Sequence, residues 1–337
     1  MLVTWQAPSN QECEDIMTVP AGTFSTYDSP TVTGGDREDL SDLLYDVSPT
    51  ETPFVTACKK GKATATNHEW LTDVLADAAA NKAIEGNDAV AVQPAGRVRL
   101  GNYTQILTKT AIVSGTQEKV LKGGGIKSEM AYQVARRMKE MKRDLEYTLL
   151  AANQIKVAGS ESVAREMASF TAYLAGDAFY DGGSGAVSPT GNGVDLMSGT
   201  LTPGAFTETK LKTALQQMWE NNSNENIMMF SGAKQRSLLS AFTGSSTRYA
   251  DTDNKKLVAS IDVYDGDYQT VTVAPTRYCD LTKVFLVDPD FVEISDLRPM
   301  FSQDLAVTGD SAKKQIIWET TLSTLNPLAH VQIVNLT

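Results

Sequence analysis

Cysteine is scarce in this chain, and the three present, Cys13, Cys58 and Cys279, show no CxxC spacing. Neither a disulfide framework nor a cysteine-based zinc site is expected, and a reducing compartment is the simplest inference. Histidine is scarcer still. His68 and His330 stand 262 residues apart in strand-like segments, and neither has a cysteine neighbour or a DxH spacing. No apolar run reaches the roughly 20 residues that cross a bilayer, and the N-terminus lacks the basic and apolar regions of a signal peptide. The protein is therefore expected to be cytosolic when made, with no membrane partner. Bases are outnumbered, 30 against 41 acids, for a net charge of -11. Such a balance argues against a general nucleic-acid binder, and Glu12, Glu14, Asp15, Asp28 and Asp36 all precede the first base, Arg37.

What the chain does contain is length and one organising helix. Its 337 residues suffice for a large core in two or three compact units, with the composition of an ordinary soluble globular protein. From Ser128 to Gln154 the pattern predicts one uninterrupted helix, with Gly123-Gly124-Gly125 before it, Gly159 after it and no proline inside. Ala131, Val134, Met138, Met141, Leu145, Leu149 and Ala152 recur every three or four residues and share a stripe. Arg136, Arg137, Lys139, Glu140, Lys142, Arg143 and Glu146 are expected on the opposite face. There Arg136 with Glu140 and Lys142 with Glu146 would each add about 0.3 kcal/mol. At about 1.5 Å per residue the rod is about 40 Å long and needs a surface to lie across.

Ahead of that helix, residues 1–36 carry no periodicity, and Pro8, Pro20, Pro30 and Gly34-Gly35 read as an extended arm. Met17 stands just before the first interpretable stretch, so residues 1–16 are expected to be an extension from an upstream start; the mass of the mature N-terminus checks this. A short helix is expected from Asp36 to Tyr45, broken by Ser48-Pro49-Thr50-Glu51-Thr52-Pro53. Its Asp39 and Asp42 read as a solvated face and not as a metal pair. Strand-like Ala65 to Asp73 and Leu100 to Val113 bracket Val74 to Arg99, about 26 residues rich in alanine, acids and glycine. Two strands joined this way predict an ordered arm that projects toward a partner, with a floppy surface loop as the competing reading.

Beyond the long helix, Ala164 to Ala175 reads as a helical piece and residues 176–204 as a glycine-rich loop. Phe206 and Thr207 open a helix whose Leu211, Leu215, Met218 and Trp219 face inward, with Phe206 as a hydrophobic staple. Ile227 to Phe230 is a fully apolar run, the mark of a buried central strand, and Ala233 to Phe242 a second helix. Strands Leu257 to Tyr264 and Thr270 to Pro275 join through Asp265-Gly266-Asp267, and Val284 to Val287 and Phe291 to Ile294 add two more. Residues 206 to about 285 thus form a compact α+β unit. Gln315 to Leu325 and His330 to Leu336 read as two antiparallel strands broken at Asn326-Pro327, placed to lie beside the long helix.

Catalytic motifs are weak throughout. Gly123-Gly124-Gly125-Ile126-Lys127-Ser128 opens a helix with free amides, but Ile126 stands where a Walker motif requires glycine before the lysine. Ser311-Ala312-Lys313-Lys314 fits a bare SxxK pattern without an SDN or KTG companion, and a polar turn before a strand accounts for it. The reading names no catalytic residue, metal ligand or cofactor, and expects no enzyme. An α+β chain with an arm, a projecting hairpin and a long helix suits an assembly subunit, because such parts must be satisfied by neighbours.

Several long collinear stretches sharpen this. Thr23-Phe24-Ser25-Thr26-Tyr27-Asp28, REDLSDLLYDVSPTETPF from Arg37 to Phe54, His68-Glu69-Trp70, Glu85-Gly86, LGNYTQI from Leu100 to Ile106 and SGTQE from Ser114 to Glu118 come first. YQVARRMKEMKRDLE from Tyr132 to Glu146, FTGSSTRY from Phe242 to Tyr249, Leu297-Arg298-Pro299 and Thr308-Gly309-Asp310-Ser311 follow. From about Thr23 onward they resemble tailed-phage major capsid (major head) proteins with the Hong Kong 97-type fold. Residues 1–22 and the loop 176–204 carry no family feature.

The resemblance implies names for the parts. Residues 1–66 become the N-terminal arm and short helix, and 67–112 the E-loop hairpin. Residues 113–205 and 286–337 become the peripheral domain with spine helix 128–154, and 206–285 the axial domain. It implies hexamers and pentamers of one protein tiling an icosahedral shell around double-stranded DNA, made in a bacterial cytoplasm, without sequence-specific DNA binding. Portal, scaffolding and decoration proteins are the further partners. Trp70, Tyr103 and Ile106 are expected to pack in the E-loop between subunits, and Arg97 and Arg99 to pair with acids of an adjacent subunit. A net charge of -11 fits an inner surface that lets DNA slide, or simply keeps a concentrated protein soluble. The lysine, asparagine and glutamate that cross-link some capsids of this fold find no match, so noncovalent shells are expected. An encapsulin-like compartment is the alternative, and a nucleotide-binding or hydrolytic enzyme a more distant one.

Overall fold

The computed structural model describes residues 48–88, 96–122, 125–174, 187–199, 203–221, 223–242 and 263–337. The expected arm, the helix Asp36 to Tyr45, the diglycine at 123–124, residues 176–186 and 200–202 of the loop 176–204 and the strand before Val263 lie outside them. Two compact units partition the chain, Met1–Asp46 with Leu121–Ile126, and Val47–Val120 with Lys127–Thr337. Every element named below belongs to the second.

Pro53 begins helix α1 (Pro53–Ala57), where its fixed φ suits the first helical position. Strands β1 (Lys59–Lys62), β2 (Asn67–Thr72), β3 (Val98–Tyr103) and β4 (Gln105–Ser114) follow, then α2 (Gly115–Lys119) and the long α3 (Glu129–Leu150). A 3-10 turn at Phe170–Tyr173 leads to α4 (Glu208–Glu220), β5 (Asn226–Ser231) and α5 (Ala233–Ser240). Next come β6 (Val263–Asp265), β7 (Thr270–Pro275), β8 (Val284–Val287), β9 (Val292–Asp304), β10 (Ser311–Thr324) and β11 (Val331–Ile333). They form a four-stranded sheet in the order β1-β9-β10-β4, a five-stranded sheet β11-β8-β5-β7-β6 and the two-stranded β2-β3.

The long helix is capped as its sequence suggests and ends sooner than its pattern does. Ser128 Oγ accepts from the Ala131 amide at 3.3 Å, and Glu118 accepts from the amides of Glu129 and Met130 at 3.0 and 3.2 Å. The helix stops at Leu150, because Asn153 adopts a left-handed φ of 48° that asparagine tolerates and a helix cannot continue through. Its 22 residues make a rod of about 33 Å. It lies across β4 and β10. Met141, Leu145 and Leu149 are buried as expected, Val134 and Met138 are half-buried, and Ala131 is exposed. Each fully buried side chain contributes roughly 1.5–3 kcal/mol.

Among the described residues two large hydrophobic cores result, with a small cluster of Ala111, Val113 and Met130 between β4 and α3. One joins Phe54 of α1, the inner face of α3, the Phe170–Tyr173 turn, Ile316, Trp318 and Leu322 of β10, and Phe230 and Phe285. Phe54 is its plug, with ring centroids 5.3 Å from Phe170 and 5.2 Å from Phe230. The other packs α4 and α5 on the five-stranded sheet, with Phe206 against Phe242 at 5.2 Å. β5 is the central strand there, as its apolar run predicts. β11 adds to this sheet too, although it lies in the span assigned to the peripheral domain.

Four expectations are corrected. Glu146 is not on the charged face: α1 and the β7–β8 connection wrap that side of α3, and the residue is fully buried. Trp219 is 56% exposed, stacked on Tyr268 at 5.4 Å, because the α4 stripe closes at Met218. Of Ala164 to Ala175, the described residues to Leu174 hold one 3-10 turn, since Gln154 and Val157 engage the backbone of Glu166, Met167 and Ser169 in non-helical pairings. The last two strands do not pair with each other: the Pro327–Ala329 turn redirects the chain, β10 pairs with β9 and β4, and β11 with β8.

Candidate assembly surface

The hairpin β2–β3 is built by six antiparallel pairs from Asn67↔Tyr103 to Thr72↔Val98. Residues 73–88 beyond it are exposed throughout, including Leu75 at 92% and Ile84 at 84%. Large apolar side chains with no intrachain cover are what a partner surface provides for. The arginines expected to reach a neighbour have partners nearer home: Arg97 Nε lies 3.7 Å from Asp73 and Arg99 Nη1 3.5 Å from Glu69. Both pairs are exposed, so each holds its side chains weakly and leaves them available for exchange.

The root of the hairpin is the opposite, a dense polar anchorage written in LGNYTQI. Gly101 carbonyl accepts from Lys156 Nζ at 2.9 Å and from Tyr173 hydroxyl at 3.1 Å. A Cβ at Gly101 would stand 2.8 Å from Glu69 Cγ and 3.1 Å from the His68 carbonyl, so the hairpin closes only around glycine. Asn102 is fully buried, donating to Leu322 carbonyl and accepting from the Ala168 amide, both at 2.9 Å. Gln105 Oε1 accepts from Gln154 Nε2 at 2.9 Å and from the Met167 amide at 3.2 Å. Burial lowers the Lys156 pKa, against the pull of Glu69.

Thr104 ties this root to a buried carboxylate, Glu319, at 2.9 Å. Glu319 also takes Arg165 Nη2 at 2.5 Å and Arg298 Nε at 2.7 Å. Burial pulls its pKa up, but the Thr104 and Arg298 hydrogen bonds and the two guanidinium charges bring it below the ordinary value. Another buried glutamate, Glu146, accepts from the amides of Phe54 at 3.0 Å and Val55 at 2.8 Å and from Thr276 Oγ1 at 3.2 Å. Burial prevails over these three hydrogen bonds and its pKa is raised. Burial likewise pushes the Cys279 thiol up to about 12, so that cysteine is unreactive at neutral pH. His330 Nδ1 accepts from the Asp288 amide at 3.1 Å, and burial lowers its pKa to about 3.

Trp70 is half-buried at the root, 5.9 Å from Tyr173 and 6.1 Å from His68. Tyr103 is half-buried, and its carbonyl accepts from Thr321 Oγ1 at 3.0 Å. Ile106 belongs to a different surface. On β4 the odd residues Lys109, Ala111 and Val113 meet α3, while Ile106, Thr108, Thr110 and Ile112 face away and are exposed. Cross-strand register carries that face through Ile317 to Phe301. The structure therefore brings Trp70 and Tyr103 together at the root, leaves Arg97 and Arg99 on the exposed hairpin, and puts Ile106 on the sheet. Glu146, Glu319 and Asn102 are the residues that sequence reasoning missed. Their signal was a polar residue inside an otherwise apolar or alternating run.

Chemistry of a catalytic kind is thin. Ser311 to Lys314 lies in β10, with Lys314 paired to Asp304 at 3.2 Å and Lys313 donating to Thr308 at 2.7 Å. Among the described residues no three acidic, cysteine or histidine side chains group to hold a metal, and no helix is long and apolar enough to cross a membrane.

Solved structures place this fold. A cyanophage A-1(L) capsid subunit superposes with a TM-score of 0.67 at 13% identity, over 90% of this chain and 98% of that one. The capsid of a native GTA particle gives 0.61 at 9% identity, over 92% and 100%. Gordonia phage Cozz gives 0.56 at 13%, over 95% and 98%. The fold is thus that of phage capsid subunits, the Hong Kong 97 type. The model of the SU10 major capsid protein family matches residues 19–337, and the chain belongs to that family as a tailed-phage major capsid protein. The major capsid protein of Escherichia phage Phieco32 is 35% identical over 129 residues, which is 38% of this chain and 35% of that protein's length. A virion component is favoured over an encapsulin-like compartment.

Proposed function

We propose that copies of this chain form hexamers and pentamers that tile an icosahedral shell around double-stranded DNA, assembled in the host bacterial cytoplasm. The observation that carries this is the β2–β3 hairpin, rooted through buried hydrogen bonds yet presenting Leu71, Val74, Leu75 and Ile84 to solvent. Rigid at its base and apolar beyond, it suits an E-loop that lies over a neighbouring subunit. The far face of the four-stranded sheet, with Ile106, Ile112 and Phe301, suits the surface that receives it. The work is geometric and not catalytic: weak contacts are summed by symmetry. Portal, scaffolding and decoration proteins are the further partners, and the subunits associate without covalent cross-links.

Electron microscopy of the expressed chain tests this. Closed icosahedral particles are expected, and a protein that stays monomeric under every assembly condition overturns the reading. Boiling the particles in SDS should release single chains, and ladders would refute noncovalent assembly. Arg97→Glu with Arg99→Glu should lower particle yield, because reversed charges repel the acids they are to meet across the subunit boundary. Particles at wild-type yield and stability would remove these two residues from the contact.

A further inference from the structure

We infer that the loop at 187–199 sets the direction in which the β2–β3 hairpin projects, with Tyr173 and Lys156 as the positioning residues, an inference that rests on the shell reading. The joint is one carbonyl in β3, that of Gly101. Its two side-chain donors are Lys156 Nζ at 2.9 Å and Tyr173 Oη at 3.1 Å. They come from separate segments, one just after α3 and the other in the Phe170–Tyr173 turn.

Gly193 of the loop holds both segments. Its carbonyl accepts from the Lys156 amide at 2.8 Å, and its amide donates at 3.3 Å to the carbonyl of Ala172, the neighbour of Tyr173. Its φ is 80°, and a Cβ there would stand 2.7 Å from Tyr173 Oη and 2.8 Å from Cζ, so the loop backbone rests on the phenol itself. Tyr173 is fully buried beneath it, with its ring 5.9 Å from that of Trp70 in β2. Any shift of Gly193 is therefore passed to both donors of Gly101, because close-packed groups have no slack to absorb it.

The loop is braced as a piece of its own. Val187 and Ser198 exchange backbone hydrogen bonds of 2.9 and 3.1 Å across its base. Within it Asp195 accepts from the Thr190 amide at 3.1 Å and from the Thr190 hydroxyl at 2.7 Å. The hairpin magnifies whatever happens at its root. About 12 residues of extended chain reach about 40 Å, and a turn of about 10° at the root moves their far end by about 7 Å. A loose root offers the hairpin to neighbours in many directions, and a closed symmetric shell uses one repeated contact.

The test uses the full chain, as unassembled subunits in hydrogen–deuterium exchange and as particles in electron microscopy. Tyr173→Phe with Lys156→Met removes both donors and keeps most of the bulk of each side chain. Exchange of the amides at 67–72 and 98–103 should rise at least about tenfold while β9 and β10 keep the wild-type rate. Particles should spread in diameter or fail to close. Tyr173→Phe alone, with the lysine kept, should bring the exchange part of the way back. Gly193→Ala should give the same hairpin signature from the loop side; if that chain does not fold, Asp195→Ala, which cuts the Thr190 clamp, takes its place. Wild-type hairpin exchange in the double variant or in the folded loop variant overturns the inference. So does a rise shared equally by β9 and β10, which would make Tyr173 and Lys156 general supports of the fold. A wild-type chain that forms no particles fails the shell reading instead, and the exchange result still decides whether the loop governs the hairpin.

Discussion

Glu319 and Glu69 both meet arginines, in opposite surroundings. Glu319 sits in the sheet at 4% side-chain exposure, between Arg165 and Arg298 with Thr104 as a third donor. Glu69 lies on the hairpin at 41%, with Arg99 at 3.5 Å and Asn67 donating to its other oxygen. The same chemistry locks one region and leaves the other free to exchange partners, because water screens the second pair and has been removed from the first. The body of this subunit is therefore built on satisfied buried carboxylates, and the hairpin on contacts that a neighbour can replace.

Removing a buried acceptor should be the most damaging change. Glu146→Ala strands the amides of Phe54 and Val55 and the Thr276 hydroxyl, and should cost about 3 kcal/mol in the urea unfolding of unassembled subunits. A loss under about 1 kcal/mol would mean that water replaces the carboxylate and that the body is less closed than its geometry says.

Acid comes next. His330 has a folded pKa near 3 against 6.5 when unfolded, so below 6.5 the unfolded chain binds the proton that the folded chain refuses. Stability should fall by roughly 2 kcal/mol as the pH drops from about 6.5 to 4.5, and His330→Gln should flatten that slope. An unchanged slope in the variant would assign the pH response to other groups. Glu319 acts lower: its depressed pKa gives stability that is present above the ordinary carboxylate range and lost as pH falls through its folded value.

The hairpin should give the smallest effect on the subunit and a visible one on the particle. Arg97→Glu with Arg99→Glu should change subunit unfolding by less than about 0.5 kcal/mol while particle yield drops. A loss of stability as large as that of Glu146→Ala would erase the distinction between the two regions.

Much of this was legible in the residues. The Ser128 cap, the buried Met141, Leu145 and Leu149, the Phe206 staple and the central strand at Ile227 follow from local spacing, since periodicity records which face is covered. The hairpin was legible as two strand-like runs around a segment too poor in large apolar residues for a core. What covers a given residue was not. Glu146 stands one position from Leu145, on a side of α3 that solvent would own were α1 not wrapped over it. Trp219 continues the α4 stripe on paper, yet burial on α4 ends at Met218 and the indole meets only the exposed ring of Tyr268. Arg97 and Arg99 lie on the hairpin, and their intrachain contacts with Asp73 and Glu69 depend on strand register, which no window of sequence contains.

The sequence by itself determined the long helix, the hairpin strands and the central strand at Ile227, that acids outnumber bases, and that the chain resembles a capsid subunit. Only the tertiary structure decided that LGNYTQI is the polar root of a hairpin, and that Glu146 and Glu319 are locked inside the body while Glu69 stays exposed on the hairpin. Helix and strand follow from neighbours along the chain, whereas burial, and with it the worth of every charge, follows from neighbours across space.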